Sequence, residues 1–369
     1  MNSSAKKIAI CITGNKTYSE TFIKAHIDLL KPSVLITRSM IPYLMDEEHV
    51  RSGSLLIRWL KGMNKKWDNY KKEKQLKKIL AANNIGVILA EYGQMGVDIM
   101  PICKKYNIPL VVHFHGFDAY KKEVLTKYVS YYQEMFEFAK AIVVVSTDMQ
   151  KQLLALGAKE EKVFYNVYGV DVDTFKISSP MNTDQNLLFV GRFVEKKAPY
   201  LALIAFSKVL KEFPEAKFNM VGDGPLLDVC RNMAFALGII KNVNFLGIRS
   251  HKEVSELMQH SRAYIQHSIV PDSGDSEGTP NSVLEAMASA LPVISTNHAG
   301  IKDVVIHSET GFLVDEKDVD SMSEYMRKLL KDPILADQMG QIGRKRVVTN
   351  YTMAISINKL LNILENFMK

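Results

Sequence analysis

Short apolar stretches alternate with longer segments of helical periodicity along the first half of the chain. In segments such as residues 20–30 and 121–139, apolar side chains recur three and four positions apart, which predicts amphipathic helices. The apolar stretches are rich in valine and isoleucine and predict strands over residues 6–13, 33–39, 86–92, 109–115, 141–147 and 162–168. This alternation is typical of a parallel sheet with helices on both faces.

The second half repeats this layout after a polar, turn-rich interval. Residues 171–186 interrupt the pattern and predict a linker between two domains. Further strands are then predicted over residues 187–192, 217–224, 243–247, 263–268, 292–297 and 311–314. Helices are predicted between these strands, over residues 199–213, 225–237, 252–259 and 280–290.

We therefore expect an α/β protein with two Rossmann-like, doubly wound domains that face each other across a cleft. A chain of 369 residues suits two domains, which we place at residues 1–178 and 179–352. The last helical segment, residues 353–369, is expected to pack back onto the first domain. In such folds ligands bind at the carboxyl ends of the strands, which here would meet in the cleft.

The composition favours a folded protein without a membrane span or a disulfide framework. Hydrophobic residues make up 47% of the chain and charged residues 24%, and no run of eighteen apolar residues occurs. Because residues 1–14 resemble a short strand and not a signal peptide, we expect the protein in the cytoplasm. Cys11, Cys103 and Cys230 are far apart and lack metal-binding spacing, so we expect reduced core residues. We also predict no metal site and no cofactor.

The positive charge is concentrated in the first half. The chain has 47 basic and 40 acidic residues, of which residues 1–180 hold 26 and 18. The densest part runs from Lys61 to Lys78, where Trp67 and Tyr70 lie among lysines. Such a segment can rest on an anionic bilayer surface, and it can equally be a solvated helix face. No nucleic-acid-binding motif accompanies the charge, so we predict no nucleic acid partner.

The sequence EGTPNSVLE, residues 277–285, predicts a helix start that binds an anion. Thr279 offers a side-chain cap and Pro280 suits the first helical position. The N–H groups of Asn281 and Ser282 would then point into the cleft, where unpaired donors and the helix dipole favour negative charge.

Charged residues surround this predicted helix start. Glu277 and Glu285 flank it, so a hydroxyl-rich group could lie beside the anion, as in a sugar joined to a diphosphate. In VGRFVEKK, Arg192 and Lys197 follow a strand that ends at Gly191, and their cations could hold the diphosphate. The alternative is an ordinary capped helix with two solvated glutamates.

Two further turns follow predicted strands. Ala299 and Gly300 in HAGIKDVV lie where backbone can approach a ligand closely. Gly222 in VGDGPL lies in a similar position, although a plain strand-to-helix turn explains it as well, and the dinucleotide-binding pattern GxGxxG is absent. His113 and His115 are two residues apart on one strand and therefore face the same side.

Taken in order, VGRFVEKK, VGDGPL, EGTPNSVLEAMA, PVISTNHAGIKDVV and TGFLV resemble the motifs of retaining glycosyltransferases of family four. The resemblance is to the bacterial branch that builds capsules, colanic acid and other surface polysaccharides, and it covers nearly the whole second half. The first half is similar more loosely, through TGNKTYSETFIKAHIDLL and VVHFHGFDAY. The resemblance implies the GT-B fold, a nucleotide-diphosphate sugar as donor and a growing, lipid-linked glycan as acceptor.

The resemblance also implies roles for single residues. Arg192 and Lys197 would bind the donor diphosphate and stabilise the leaving group. Glu277 would contact hydroxyls of the transferred sugar, Glu285 would hold the ribose, and His115 would lie near the reacting centre. Further donor contacts are expected at Gly14, Gly191, Gly222, Gly278, Thr279, Asn281, Ser282, Ala299 and Gly300.

We therefore expect a retaining, metal-independent hexosyltransferase of surface polysaccharide synthesis, cytoplasmic and peripheral at the inner face of the membrane. Double displacement would need a carboxylate nucleophile. Asp118 is the only candidate, and we expect it to have a structural role near His115. The alternatives are a nucleotide-sugar epimerase or hydrolase on the same fold, and a non-catalytic partner in a polysaccharide assembly complex.

Overall fold

The computed structural model describes residues 6–14, 21–37, 42–44 and 65–368, which fold into two α/β domains. The strands of the first domain are β1 (Lys7–Ile12), β2 (Val34–Thr37), β3 (Pro42–Leu44), β4 (Ile85–Glu91), β5 (Leu110–His113), β6 (Ala141–Val144) and β7 (Val163–Tyr165). They form a seven-stranded sheet in the order β3-β2-β1-β4-β5-β6-β7.

Helices flank this first sheet. They are α1 (Thr21–Leu30), α2 (Lys65–Ala82), α3 (Gly93–Tyr106), α4 (Phe117–Tyr120), α5 (Lys122–Phe138) and α6 (Thr147–Ala155). Every residue of the central strand β4 is buried, as expected for a strand covered by helices on both faces. The strand pairs are parallel except β2 with β3, which is antiparallel. Because β3 runs antiparallel to β2, the sheet is mixed at this edge. The sequence pattern predicts no strand at β3.

The second domain has a six-stranded, fully parallel sheet. Its strands are β8 (Asn186–Val190), β9 (Lys217–Val221), β10 (Val243–Gly247), β11 (Ala263–Gln266), β12 (Val293–Thr296) and β13 (Gly311–Val314). Their order is β10-β9-β8-β11-β12-β13. The following helices are α7 (Pro199–Val209), α8 (Leu227–Ala236), α9 (His251–Gln259), α10 (Asn281–Ala288), α11 (Ile301–Val304), α12 (Val319–Lys331), α13 (Pro333–Asn350) and α14 (Met353–Glu365).

The segment predicted as a linker packs against the second domain. Phe175 is buried, and the N–H and hydroxyl of Ser178 both donate to the carbonyl of Ser289, at 2.9 and 2.7 Å. The N–H of Lys176 donates to the Ser255 hydroxyl at 3.2 Å. Local polarity marks a break between the two sheets, but tertiary contacts hold the segment in place.

The last helix, α14, crosses to the first domain. Residue Val170 forms a parallel bridge with Thr352 immediately before the helix begins. From there the apolar side of α14 enters a cluster with strands of the first sheet, whose members include Ile8, Ile10, Val87, Val111, Ile357, Leu360 and Leu364.

Direct hydrogen bonds connect the two domains across the cleft. The Thr147 N–H and hydroxyl both donate to the Asp303 carboxylate, at 2.8 and 2.7 Å. The neighbouring Asp148 pairs with Lys302 at 2.7 Å. Because the carboxyl ends of both sheets point toward this contact, the residues that follow the strands lie close together.

The structure tests the prediction for the cysteines but not the prediction of membrane binding. Cys11, Cys103 and Cys230 are buried free thiols, which confirms the prediction of reduced core residues. None of the helices in the part of the chain described above is both long and apolar enough to cross a bilayer. The start of the Lys61 to Lys78 segment, through residue 64, lies outside the described residues, as does residue 59. Membrane binding by this segment stays a prediction.

Candidate functional site

The turn before α10 is built differently from the local prediction. The helix begins at Asn281 and ends at Ala288, not at residue 290, and Pro280 occupies the N-cap position without a side-chain cap. The predicted cap at Thr279 is wrong, because its hydroxyl donates instead to the carbonyl of Val145 in the first domain, at 2.6 Å. A tertiary hydrogen bond thus replaces the local one and fixes the helix start to the opposite side of the cleft.

Glu277 forms a largely buried ion pair with Lys197 in this turn. The carboxylate oxygen Oε1 lies 3.0 Å from Nζ, and the two side chains are only 9% and 13% exposed. Burial alone would raise the pKa of Glu277, but Lys197 and Lys196 outweigh it and hold the pKa at about 2. Glu277 is therefore an anion at every physiological pH.

Two hydrogen bonds to Nε2 of His298 support the same turn. Its Nε2 accepts from the Glu277 N–H at 3.3 Å and lies 3.2 Å from the Ser276 hydroxyl. Its Nδ1 lies 2.6 Å from the carboxylate of Glu316, so that nitrogen carries the proton. Lys196 completes the support, because its Nζ contacts Asp275 at 3.2 Å.

Glu285 lies in the second turn of α10, and its pKa is shifted in the opposite direction from that of Glu277. Burial raises its pKa to about 7, and the positive charge of Lys197 offsets this only in part. The two glutamates of EGTPNSVLE therefore differ in charge near neutral pH. Glu277 is fully ionised, whereas Glu285 is close to half protonated.

The raised pKa of Glu285 predicts a measurable pH dependence of the free energy of unfolding. Between about pH 4.5 and 7 the unfolded chain has lost this proton while the folded chain retains it, so wild-type stability falls as the pH rises. Glu285→Gln removes this titration. We expect the unfolding free energy of the variant, relative to wild type, to rise from pH 5 to pH 8 by at most about 3 kcal/mol, less where solvent screens the charge.

Urea denaturation at several pH values measures this difference. The control is Glu309→Gln, which replaces an exposed glutamate of the same domain. A difference between Glu285→Gln and wild type that stays constant from pH 5 to pH 8 would contradict the raised pKa.

Lys197 is also joined to the strands of the second sheet by a polar network. Its Nζ lies 3.4 Å from the side-chain oxygen of Gln266, which in turn accepts from the hydroxyls of Tyr264 and Ser282 at 2.8 and 3.3 Å. Because Ser282 is in the first turn of α10, the network connects the lysine to the helix start. Gln266 and Tyr264 were not predicted from the sequence.

Close backbone packing surrounds the base of Lys197. A Cβ atom at Gly191 would lie 2.8 Å from the Lys197 side chain. Gly222 has φ of +131°, and a Cβ there would lie 1.9 Å from the carbonyl oxygen of Gly191. Gly222 therefore requires glycine, whereas a side chain at Gly191 would displace the side chain of Lys197. Arg192 follows directly and is exposed.

The predicted contacts on the cleft side of the turn lie together as well. Gly300 donates its N–H to the carbonyl of Gly278 at 2.9 Å. The side chain of Asn281 donates to the Thr21 hydroxyl of the first domain at 3.0 Å, and its Oδ1 is buried without a hydrogen-bond partner. Gly14 lies two residues after β1 with φ of +128°, and a Cβ there would have no atom within 4 Å.

A cavity of about 490 Å³ opens between the domains beside this turn. Its lining on the second domain includes Ser276, His298 and Ala299, and on the first domain Tyr120 and Asp148. Neither Lys197 nor Glu277 lines this cavity. Ala299, predicted as a donor contact, thus faces a part of the cleft next to the ion pair.

His115 is buried, and both of its ring nitrogens are occupied. Nε2 lies 2.8 Å from a carboxylate oxygen of Glu91, and Nδ1 lies 2.6 Å from the hydroxyl of Tyr168. The ring stacks on Phe22 with centroids 4.3 Å apart. The backbone, in contrast, meets the turn of the second domain, because a Cβ at Gly278 would lie 3.0 Å from the His115 carbonyl oxygen.

Asp118 has a structural role in the first domain. Its carboxylate accepts the backbone N–H groups of Gly93, His115 and Gly116, at 2.8, 2.9 and 3.1 Å. It is fully buried, and burial raises its pKa. With its oxygens turned to these three donors, it is poorly placed to act as a nucleophile.

One group among the described residues has the composition of a metal site. Ligand atoms of Glu91, His113 and His115 all lie within 4.8 Å of one another. The two imidazole rings, however, are parallel within 8° and stacked 4.5 Å apart. Metal-binding lone pairs lie in the ring plane, so two stacked rings cannot direct them to one ion. We interpret the group as a hydrogen-bonded network.

Comparison with known proteins agrees with this architecture. Residues 34–174 match the family model described as glycosyltransferase family 4, and residues 171–346 match the one described as glycosyl transferases group 1. The amylovoran biosynthesis glycosyltransferase AmsK of Erwinia amylovora is 26% identical over 69% of this chain. The capsular polysaccharide biosynthesis glycosyltransferase CapM of Staphylococcus aureus is 25% identical over 63% of it. The matched region spans 63% of the length of each of these two relatives.

Solved structures share the fold over nearly the whole chain. The structure of Anabaena HepE in complex with UDP superposes with a TM-score of 0.80 at 15% identity and covers 98% of this chain and 100% of its own. A glycosyltransferase from Rickettsia africae gives a TM-score of 0.77 at 18% identity, with 99% and 100% covered. The predicted GT-B fold, with two Rossmann-like domains facing each other across a cleft, is confirmed.

Proposed function

Since the chain belongs to the glycosyltransferases of family four, we propose that it transfers a sugar from a nucleotide-diphosphate donor to a growing, lipid-linked glycan with retention of configuration. The observation that carries this proposal is the Lys197–Glu277 pair at the start of α10, between the two domains. In this proposal Lys197 is the cation that holds the diphosphate and Glu277 is the anion that holds sugar hydroxyls, and the two side chains lie 3.0 Å apart. The similarity to AmsK and CapM supports a role in surface polysaccharide synthesis.

The leaving group explains why cations are needed at this place. When the bond between the anomeric carbon and the diphosphate oxygen breaks, negative charge grows on that oxygen. Lys197, the N–H groups at the start of α10 and Arg192, which follows Gly191, would stabilise this charge in advance of the reaction. Because the protein supplies this positive charge itself, we propose that the transfer needs no metal ion.

Retention is proposed to follow a same-face route. Glu277, ionised because its pKa is about 2, would anchor sugar hydroxyls without attacking carbon. Asp118 is engaged by backbone donors, which leaves no assigned carboxylate for a double displacement. The acceptor oxygen would then bond to the face that the diphosphate leaves, and its proton would pass to a diphosphate oxygen.

The donor can be identified by thermal shift and then by transfer. A ligand held only by the folded state raises the melting temperature, so UDP, GDP and their sugars can be ranked directly. UDP and UDP-glucose are the first candidates, because they occupy the structures of HepE. We expect stabilisation by one nucleotide series and, with a lipid-linked saccharide acceptor, a product whose anomeric configuration by NMR equals that of the donor.

Two outcomes would favour the alternatives. Turnover of the donor without any acceptor would indicate an epimerase or hydrolase. An unaltered cellular glycan in a Glu277→Ala strain would indicate a non-catalytic partner. We also propose that the protein acts in the cytoplasm at the inner face of the membrane, because its proposed acceptor is lipid-linked.

A further inference from the structure

A buried carboxylate, Glu91, lies at the carboxyl end of the central strand β4 between two histidines. Its side chain is 0% exposed. Oε1 lies 2.7 Å from Nδ1 of His26 on α1, and Oε2 lies 2.8 Å from Nε2 of His115. Neither Glu91 nor His26 belongs to the site predicted from the sequence.

The charge of Glu91 decides where the proton of His115 lies. Burial alone would raise the pKa of this carboxyl, but the electrostatic attraction of His26 and the hydrogen bonds from His115 and His26 outweigh it and lower the pKa below its usual range. An ionised carboxylate can only accept hydrogen bonds. Nε2 of His115 must therefore carry a proton and donate a hydrogen bond to Glu91.

The other ring nitrogen of His115 completes the assignment. Nδ1 lies 2.6 Å from the hydroxyl of Tyr168, whose pKa is raised by burial, so the hydroxyl keeps its proton. With Nε2 protonated, a neutral ring has a free lone pair at Nδ1, which accepts from Tyr168. Of the two neutral tautomers, only the one protonated at Nε2 matches both partners of His115.

Ring contacts hold the imidazole in the same orientation. It is stacked on Phe22 at 4.3 Å and on His113 at 4.5 Å. The residue that follows, Gly116, packs on the second domain, since a Cβ there would lie 2.9 Å from the Ser276 carbonyl oxygen. The backbone that follows the His115 ring therefore packs directly against the turn that carries Glu277.

We propose that Glu91 is a positioning residue that fixes His115 as a neutral imidazole protonated at Nε2 and so holds the His115–Gly116 backbone against the turn that carries Glu277. His26, on the other oxygen, keeps the carboxylate in its orientation. The catalytic consequence of this inference rests on the proposed transferase function. It also implies that the His115 ring does not exchange protons with the substrate, because Glu91 and Tyr168 occupy both of its nitrogens.

The first test needs no substrate. In the wild-type protein labelled with ¹⁵N, two-bond nitrogen–proton spectra at neutral pH should show His115 protonated at Nε2 and unprotonated at Nδ1, with His115→Gln giving the assignment. A cationic ring, or a proton at Nδ1, overturns the proposal. This result stands whether or not the protein proves to be a transferase.

The second test uses variants. Glu91→Leu removes both acceptor oxygens at similar volume, and we expect loss of the single Nε2-protonated form together with a decrease in kcat on the order of 10²-fold, while KM for the donor stays within about twofold. Glu137→Gln, which replaces an exposed glutamate paired with Lys159, is the control. Wild-type kcat and an unchanged His115 spectrum in Glu91→Leu would overturn the proposal.

A second variant covers the case in which Glu91→Leu does not fold. Tyr168→Phe removes the hydroxyl that donates to Nδ1 and keeps the ring. Because Glu91 still accepts from Nε2, we expect the same tautomer of His115 in this variant. A shift of the proton to Nδ1 would show that Tyr168, not Glu91, sets the tautomer, and would refute the assignment.

Discussion

Replacing Lys197 by methionine should lower kcat about 10²- to 10³-fold, the loss that accompanies removal of one preorganised group from a developing anion. Lys197 is the cation that lies nearest to Glu277 at the start of α10, at 3.0 Å, and methionine keeps the length of the side chain without its charge. Initial rates with the donor identified by thermal shift measure the effect. We also expect weaker binding of the free nucleoside diphosphate, measured by calorimetry.

The same substitution should destabilise the folded protein. It leaves the carboxylate of Glu277 buried without its nearest cation, which costs on the order of 3–5 kcal/mol for fully buried pairs and less here, where both side chains are slightly exposed. Lys208→Met is the matched control, because this lysine pairs with Asp320 on the surface of the same domain. Equal turnover in Lys197→Met and Lys208→Met would contradict a role of Lys197 in the leaving-group site.

The ion pair itself could be predicted only in part from the sequence. Lys197 follows β8 and Glu277 precedes α10, and both positions are at the carboxyl edge of one parallel sheet, so the strand pattern already places them near each other. Their separation depends on the order of the strands, in which β8 and β11 are neighbours. No sequence pattern gives that order, and the polar network through Gln266 depends on it.

Residues that depend on contacts distant in the sequence were predicted least well. Thr279 has the chemistry of a helix cap, but its hydroxyl donates across the cleft to Val145, a partner 134 residues away. Glu91 ends a strand of otherwise apolar residues, and a charge at the carboxyl end of a buried strand is a usable signal. Its partner His26 is 65 residues earlier, on a helix whose packing no local rule predicts.

Replacing Glu277 by glutamine should separate transfer from nucleotide binding. The amide keeps the shape of the side chain but loses the charge that anchors sugar hydroxyls, and hydrogen bonds to charged groups of this kind contribute about 1.5–3 kcal/mol. We expect kcat to fall about 10²-fold. Lys197, released from its pair, stays available for the diphosphate, so calorimetry should show nucleotide affinity that is equal to wild type or tighter.

Stability against acid gives an independent measurement on Glu277→Gln. Because the pKa of Glu277 is lowered to about 2, its ionised form stabilises the folded chain above about pH 4.5, and this contribution is lost as the pH falls toward 2. The glutamine variant should lack this acid-dependent loss, whereas the surface variant Glu309→Gln should retain it.

In a double-mutant cycle, Lys197→Met with Glu277→Gln should cost less stability than the two single changes added together, since no buried charge is left unpaired. Strictly additive changes in the free energy of unfolding would show that the two side chains are not coupled. The ion pair on which the proposed leaving-group site depends would then be refuted.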